Sequence, residues 1–434
     1  MIGESPWPPA RLAWTALGVM ALANILSYLD RIIINLLVQP IQKDLGINDT
    51  QFGMLQGLAF GLLYTLLALP IGRLIDKRPR KLIMAAGVFT FSLFSLASGM
   101  ARTFGQLFLA RAGVGTGEAS LTPAAYSLIS DLFPPAQLGR AISVFTMTAF
   151  VGIGLAYIAG GAAIAFVSTA DLSFAPALDR LAGWQRVFVL VAIPGFLVAA
   201  LLLLVLPEPA RRGRSREGEV SVREAARHMR REAPLFTPFF GGFAMITLAS
   251  YASAVWTPAF FIRSFGWTPA QIGLWVGLGY LILGPAGALA AGRWCDALTA
   301  RGVADAPLRV AAWSALLSGL FSAASPMMPS AESALILLLL SVPLGTMAFP
   351  MAGTAIALVT PNELRGQVSG LYLLVINAVG LGIGPMLVGA LSDHVFTGGD
   401  GVRYGLALVN LVTAPLAFWL IRRASAPYIE RRAA

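Results

Sequence analysis

Long apolar blocks separated by short polar segments make up most of this sequence. A helix needs about 20 mostly apolar residues to cross a bilayer. Twelve blocks approach or exceed that length, at about residues 14–39, 50–75, 81–101, 103–132, 138–167, 185–206, 235–262, 269–295, 308–328, 332–359, 365–395 and 404–421. Backbone groups in hydrocarbon must be satisfied within their own segment, so each block predicts a membrane-spanning helix.

Lysine and arginine are unevenly distributed over the connecting segments. With the N-terminus placed in the cytoplasm, 23 of the 31 basic residues fall on the cytoplasmic side and 6 on the other. The remaining two, Arg31 and Arg111, lie inside spans. Basic residues favour the cytoplasmic side of a membrane, so we expect a multi-pass inner-membrane protein with both termini cytoplasmic. The first span is too long for a cleavable signal peptide.

The two halves of the chain repeat each other in the same orientation. A set of glycine, glutamine and aspartate positions recurs 220 residues later, namely Gly46, Gln51, Gly53, Gly57, Gly72 and Asp76 as Gly266, Gln271, Gly273, Gly277, Gly292 and Asp296. Parallel repeats of six helices are typical of one transporter architecture. We therefore predict an all-α membrane protein with twelve transmembrane helices in two pseudo-symmetric six-helix bundles, residues 1–206 and 235–434. A cytoplasmic linker, residues 207–234, joins them, and 220–232 is either a short amphipathic helix or a solvated basic loop.

Composition excludes several other classes of protein. Only 12% of the 434 residues are charged, against about 25% in a soluble domain. One cysteine, Cys295, and two histidines, His228 and His394, argue against a disulfide, a metal site or a cofactor. The net charge of +10 comes from residues along one side of the membrane, so we expect no nucleic acid partner. We expect a monomer with no catalytic residues.

The loop between spans two and three carries a recognisable motif. It reads Gly72-Arg-Leu-Ile-Asp76-Lys-Arg78-Pro-Arg80, which resembles the loop signature of the major facilitator superfamily. The resemblance implies a cytoplasmic gate, although Pro79 stands where that family usually has glycine. We predict that the gate involves Gly72, Asp76, Arg78 and Arg80, with Asp131 and the repeat copy Asp296 as partners. Alternatively, the basic loop only sets the topology.

Ionisable residues inside spans one and four provide the candidate chemistry. At about 1.5 Å per residue, Asp30 and Arg111 both lie about 12–13 Å below the non-cytoplasmic edge, so they can meet. Glu118 lies about 10 Å deeper on the same face as Arg111. Because an unpaired charge at that depth is costly, Asp30 and Glu118 should be paired, hydrated or protonated. They become candidates for proton coupling, with Arg111 as the gating partner; the alternative is a static ion pair that fixes helix packing.

The polar motifs of the first half narrow the resemblance. Tyr28-Leu-Asp30-Arg31, the run from Arg111 to Ser120 and Asp131-Leu-Phe-Pro resemble the spinster branch of the superfamily. That resemblance implies a lysolipid or sphingoid lipid substrate. The substrate-binding candidates are Arg31, Tyr64, Thr122, Phe145, Tyr157, Trp256, Phe349 and Asn377. Aromatic residues in membrane helices usually pack against neighbours or lipid, which is the alternative for most of these aromatic residues. The alternative for Arg31 is that it supports Asp30 from outside the cavity.

We therefore predict a proton-coupled secondary transporter that moves an amphipathic small molecule by alternating access, with protons and the lipid bilayer as its other partners. Two alternatives stay open, an uncoupled lipid facilitator or scramblase and a transporter of a different small organic anion. An ATP-driven pump is rejected because the sequence lacks a phosphate-binding loop. An intramembrane enzyme is rejected because both histidines lie outside the predicted hydrocarbon core.

Overall fold

A computed structural model describes residues 7–169, 176–211 and 222–433, and every regular element within them is helical. The helices are α1 Ala10–Leu36, α2 Val38–Leu45, α3 Asp49–Met54, α4 Leu62–Lys77, α5 Arg80–Ser98, α6 Phe104–Glu118, α7 Leu121–Leu132, α8 Pro135–Thr169, α9 Pro176–Asp179, α10 Gly183–Val205, α11 Val222–Arg231, α12 Ala233–Phe265, α13 Pro269–Ala300, α14 Ala306–Ala324, α15 Ala331–Val359, α16 Asn362–His394, α17 Gly401–Arg423 and α18 Ser425–Ala433. A π-helical segment, Leu55–Gly61, joins α3 to α4, and a 3-10 turn, Ser325–Met327, follows α14.

Eleven helices in the described residues are long and apolar enough to cross a membrane. The predicted fourth span, 103–132, is the exception, because it forms two shorter helices, α6 and α7, rather than one. The break lies at Ala119 and Ser120, four and three residues before Pro123. Proline has no backbone N–H and its ring clashes with the carbonyl four residues earlier, so Pro123 interrupts the helix at Ala119.

The helices form two compact units. The first contains Met1–Ile47, Ala59–Ser215 and Thr268–Gly277, and the second contains Asn48–Leu58, Arg216–Trp267 and Leu278–Ala434. These units resemble the predicted halves 1–206 and 235–434, with one systematic difference. The first segment of the second span packs with the second unit, and the first segment of the eighth span packs with the first unit.

The two exchanged segments have the same local structure. Gly46 and Gly266 end the preceding helices in the left-handed conformation, with φ of 64° and 68°, which glycine adopts at little cost. Asn48 and Thr268 then cap the next helices, each exchanging hydrogen bonds with the glutamine three residues on. This capping box starts both helices at equivalent positions of the repeat.

Glycines on the exchanged segments allow close packing inside each unit. A Cβ on Gly53 would lie 2.6 Å from the Pro385 carbonyl oxygen in α16, and one on Gly273 would lie 2.4 Å from the Tyr157 carbonyl oxygen in α8. Gly57 and Gly277 meet the Gly382 and Gly154 carbonyl oxygens in the same way. The repeated glycines noted in the sequence therefore permit backbone-to-backbone contact.

The predicted linker, 207–234, is described only in part. Residues 212–221, and with them the start of the predicted amphipathic segment 220–232, lie outside the described residues. Helix α11, Val222–Arg231, shows that the helical alternative applies to the rest of that segment. His228 and Met229 are half-buried on the second unit, whereas Arg227, Arg230 and Arg231 are exposed.

Candidate substrate and proton site

The first unit buries an ion pair between its first and fourth spans. Arg111 in α6 donates from Nη1 to Oδ2 of Asp30 in α1, at 2.8 Å. Both side chains are almost fully buried, with 0% and 2% exposed. The two residues meet as the depth argument predicts.

A second ion pair lies beside the first and crosses the same two helices. Arg31 in α1 donates from Nη2 to Oε2 of Glu118, the last residue of α6. Glu118 is buried, while the Arg31 side chain is 15% exposed. The sequence allowed a supporting role of Arg31 toward Asp30; in the structure Arg31 pairs with Glu118. Consecutive residues on a helix point about 100° apart, so Asp30 and Arg31 reach different partners.

One aromatic ring links the two pairs. The guanidinium carbons of Arg31 and Arg111 lie 4.7 and 5.6 Å from the centroid of the Phe60 ring, in the π-helical segment. Both distances are within cation–π range. Two carboxylates and two guanidinium groups thus form one four-charge cluster around Phe60, and its charges sum to zero.

Each carboxylate in this cluster keeps one oxygen available. Within the described part of the chain, Asp30 Oδ1 and Glu118 Oε1 are buried and accept no hydrogen bond. Buried polar atoms normally have a partner, so such an oxygen is expected to bind a water molecule, an ion or a proton. The cluster therefore has two acceptor sites for a proton.

The glycines of α6 bring the neighbouring helices close to the cluster. A Cβ on Gly115 would lie 2.4 Å from the Phe60 carbonyl oxygen, and one on Gly117 would lie 2.5 Å from the Phe91 backbone nitrogen. Gly113 faces the Phe94 ring in the same manner. The glycine triplet is thus a packing feature, and Gly115 additionally positions Phe60.

The other substrate-binding candidates are divided between the units. On the first unit, Tyr64 and Thr122 are half-buried, whereas Phe145 and Tyr157 are nearly inaccessible. On the second unit, Phe349 is 38% exposed and Asn377 is half-buried. Trp256 is fully buried, stacks edge-on against Phe52 and donates from its indole nitrogen to the Pro385 carbonyl oxygen, at 2.7 Å. These contacts give Trp256 a packing role in this structure.

The predicted gate motif is organised around Arg80. This side chain is completely buried; it pairs with Asp131 at the end of α7 and, at 2.9 Å, with Glu208 after α10. It also donates to the carbonyl oxygens of Ser127 and Pro209. One guanidinium group therefore ties the start of α5 to the ends of two other helices of the first unit.

Other residues of the predicted gate do not share this burial. Asp76, Arg78 and Asp296 are exposed, whereas Asp131 pairs with Arg80. A Cβ on Gly72 would have nothing within 4 Å. Among the described residues, no neighbouring helix therefore packs closely against Gly72.

Sequence reasoning missed a polar cluster at the opposite end of the spans. In the second unit Asp49 accepts two hydrogen bonds from Arg263, at 2.7 and 2.8 Å, and one from Ser392, at 2.7 Å. Asp393 accepts from the backbone nitrogens of Asp49 and Thr50. Asp49 and Asp393 lie 344 residues apart in sequence, and the only available signal was the placement of acidic residues at helix ends.

Comparison with known proteins identifies the family. The model of the Major Facilitator Superfamily matches residues 20–385. The chain belongs to this superfamily. It is a multi-pass membrane transporter, and its motif resemblance to the spinster branch is supported by the relatives described next.

Two relatives and one solved structure show which known proteins this facilitator resembles. An "MFS-type efflux pump" of Mycolicibacterium smegmatis is 29% identical over 96% of this chain and 94% of that protein. The human "Protein spinster homolog 1" is 32% identical over 57% of this chain and 45% of that protein, so this alignment spans less than half of the human protein. The crystal structure of a bacterial homolog of the human lysosomal transporter spinster, inward-facing and unoccupied, matches with a TM-score of 0.78 at 24% identity, over 98% of both chains. That likeness supports the fold.

Proposed function

We propose that this facilitator is a proton-coupled secondary transporter that moves an amphipathic small molecule by alternating access. The observation that carries the proposal is the buried four-charge cluster of Asp30, Arg31, Arg111 and Glu118. Its carboxylates are the proton-binding groups. Arg111 is the gating partner, because its ion pair with Asp30 depends on whether Asp30 carries a charge. The substrate class, a lysolipid or sphingoid lipid, rests on the spinster resemblance.

The energetics of the cluster support coupling. Removing one partner of a buried ion pair leaves the other charge uncompensated, which costs about 3–5 kcal/mol. A proton on Asp30 or Glu118 has the same electrostatic effect, because it leaves one guanidinium without its counter-charge. The protonated protein therefore favours a conformation in which the cluster is hydrated. A proton drives transport only as far as the two access states differ in proton affinity.

The membrane placement is part of the same proposal. The excess of basic residues on one side argues for the inner membrane with both termini in the cytoplasm. In that orientation the Arg80 network lies at the cytoplasmic end and serves as the cytoplasmic gate. The protein acts as a monomer, with the bilayer, protons and substrate as partners.

Purified protein in proteoliposomes tests the function directly. Uptake of a panel of lysolipids and sphingoid lipids is measured with and without an imposed pH gradient. The proposal expects gradient-driven accumulation by the wild type. Asp30→Asn should retain exchange at equal pH but lose its response to the gradient, and Arg111→Ala should lose both. Phe89→Leu, a change of an exposed side chain whose ring contacts Phe196 of α10, is the matched control.

Two results would replace the proposal by its alternatives. Lipid movement that is equally fast with and without the gradient, in both wild type and Asp30→Asn, would indicate an uncoupled facilitator or scramblase. Inhibition by small organic anions, without transport of any lipid in the panel, would indicate an organic anion transporter.

A further inference from the structure

The Arg31 guanidinium lies among three aromatic rings of the first unit. Its central carbon is 5.3 Å from the Tyr28 centroid, 4.7 Å from the Phe60 centroid and 5.3 Å from the Tyr64 centroid. The Glu118 carboxylate binds the same group. We call Tyr28, Phe60, Tyr64 and Glu118 the aromatic cage. An energetically significant cation–π contact occurs about once per 70–80 residues, so three contacts on one cation form a concentrated site.

Several aromatic faces with a carboxylate are the chemistry that recognises organic cations. Aromatic cages bind quaternary ammonium groups because the ring faces attract a weakly hydrated positive charge. A guanidinium group is also weakly hydrated and stacks on rings. In this structure the cage is occupied by a cation of the protein's own chain.

Two walls of the cage, Phe60 and Glu118, are more deeply buried than its occupant. Phe60 is 1% exposed, and the missing Cβ of Gly115 lets its backbone pack against α6. Tyr28 packs on Gly152 of α8, where a Cβ would lie 2.9 Å from its ring. Glu118 is likewise buried. The Arg31 side chain is 15% exposed and long, so the guanidinium group can move out of the cage through changes in its own rotamers.

We infer that the aromatic cage is a binding site for the monovalent organic cation of a transported substrate, which displaces the Arg31 guanidinium. Arg31 holds the site closed when substrate is absent and keeps Glu118 neutralised. The inference rests on the proposed transport function and specifies the head group: a quaternary ammonium, phosphonium or protonated amine attached to an apolar body. A site of this composition disfavours organic anions, because Glu118 and the ring faces repel negative charge.

Binding of a matched pair of probe ions tests the inference. Tetraphenylphosphonium and tetraphenylborate have nearly the same size and shape and opposite charge. Their binding to the full-length protein in phosphatidylcholine nanodiscs is measured by equilibrium dialysis, with empty nanodiscs subtracted. The wild type should bind the phosphonium in preference to the borate. Arg31→Gln vacates the cage and should bind the phosphonium about tenfold more tightly, with no gain for the borate.

Conservative substitutions separate a cage from a structural effect. Arg31→Lys keeps a cation in place and should bind the phosphonium as the wild type does. Tyr64→Phe retains the ring and should be unchanged, whereas Tyr64→Leu should lose about fivefold in affinity, the equivalent of about 1 kcal/mol for one cation–π contact. Glu118→Gln should lose tenfold or more. Phe89→Leu removes an exposed ring elsewhere on the first unit and should change nothing.

Some results would overturn the inference. Equal phosphonium affinity of Arg31→Gln and Arg31→Lys would show that Arg31 does not compete for the cage. Equal affinity of Tyr64→Leu and Tyr64→Phe would exclude the ring as a wall. Failure of this inference is distinguishable from failure of the transport proposal, because selective phosphonium binding without gradient-driven transport contradicts only the latter, and gradient-driven transport without phosphonium selectivity contradicts only the former.

Discussion

Asp393 binds the first turn of α3 by accepting hydrogen bonds from the backbone nitrogen and the hydroxyl of Thr50, at 2.7 and 2.6 Å. A carboxylate at a helix N-terminus satisfies N–H groups that have no partner within the helix, and it interacts favourably with the helix dipole. In this way the end of α16 holds the start of α3 within the second unit. The contact joins residues from opposite halves of the sequence.

Replacing Asp393 should loosen this attachment. We expect Asp393→Ala to lower stability by about 1–3 kcal/mol, because it leaves backbone donors of α3 without their acceptor. Asp393→Asn, which keeps one acceptor oxygen, should lose less. Thermal unfolding gives the stability, and amide hydrogen exchange over residues 48–52 localises the effect. Glu430→Ala, a change of an exposed carboxylate on α18, is the control; unchanged exchange in Asp393→Ala would contradict the assignment.

Arg80 and Arg78 belong to one basic motif but should differ strongly on substitution. Arg80→Ala leaves Asp131 and Glu208 without their shared cation, so we expect a loss of about 3–5 kcal/mol in unfolding free energy. Arg78 is exposed, and Arg78→Ala should change stability by about 0.5 kcal/mol or less. Thermal melting of the two purified variants measures the contrast.

A double substitution separates the ion pair from a general packing defect. Arg80→Ala combined with Asp131→Ala should be less destabilising than the sum of the single changes, because the second change removes the orphaned charge. Additive effects would mean that Arg80 and Asp131 are not coupled.

Gly53 and Gly72 provide a matched pair of glycines on the second span. A Cβ on Gly53 would meet backbone atoms of Pro385 and Met386, at 2.6 and 2.7 Å. Backbone atoms cannot rotate away, so Gly53→Ala should cost about 1–3 kcal/mol by overpacking. Gly72→Ala has open space and should leave stability unchanged or slightly raised. Unfolding midpoints of both variants in one detergent test this, and an equal loss in the two variants would contradict it.

His228 should make the attachment of α11 dependent on pH. Burial of the imidazole lowers its pKa from the ordinary value of 6.5; the charges of Arg431 and Arg231 add to this, and Glu232 opposes it. The folded protein therefore favours neutral His228. Its contribution is fully present above pH 6.5 and is lost as the pH falls from 6.5 through the lower pKa of the folded state.

Hydrogen exchange of α11 measures this dependence. Corrected for intrinsic rates, exchange of residues 222–234 should increase between pH 7.5 and pH 5.5. His228→Phe keeps a ring beside Phe236, which His228 contacts at 5.9 Å, and should remove the dependence. Persistence of the same pH response in His228→Phe would assign it to another group.

The sequence predicts how deep a residue lies in the membrane better than it predicts the direction in which its side chain points from the helix. Helical rise is fixed, so counting residues placed Asp30 level with Arg111, and the structure has this contact. Counting could not show that Arg31 turns toward Glu118, because that depends on how α1 and α6 are rotated against each other. The break between α6 and α7 was predictable in principle from Pro123, but apolar length alone favoured one continuous span.

Contacts between residues that lie far apart in the sequence were the least predictable feature of the structure. The Arg80 network needs Glu208, whose distance from α5 follows from the path of α10 and not from the motif. The same applies to Asp49, Arg263 and Asp393, which come together only when the second, seventh and eleventh spans have packed. The repeated glycines were visible in the sequence, but their packing partners were not.

The exchanged segments Asn48–Leu58 and Thr268–Gly277 mean that the two compact units do not coincide with the two copies of the repeat. Each copy encodes one stretch that packs with the other unit. Dividing the gene at the linker would therefore not separate the units cleanly, because each product would lack one stretch of its own unit and carry one stretch of the other.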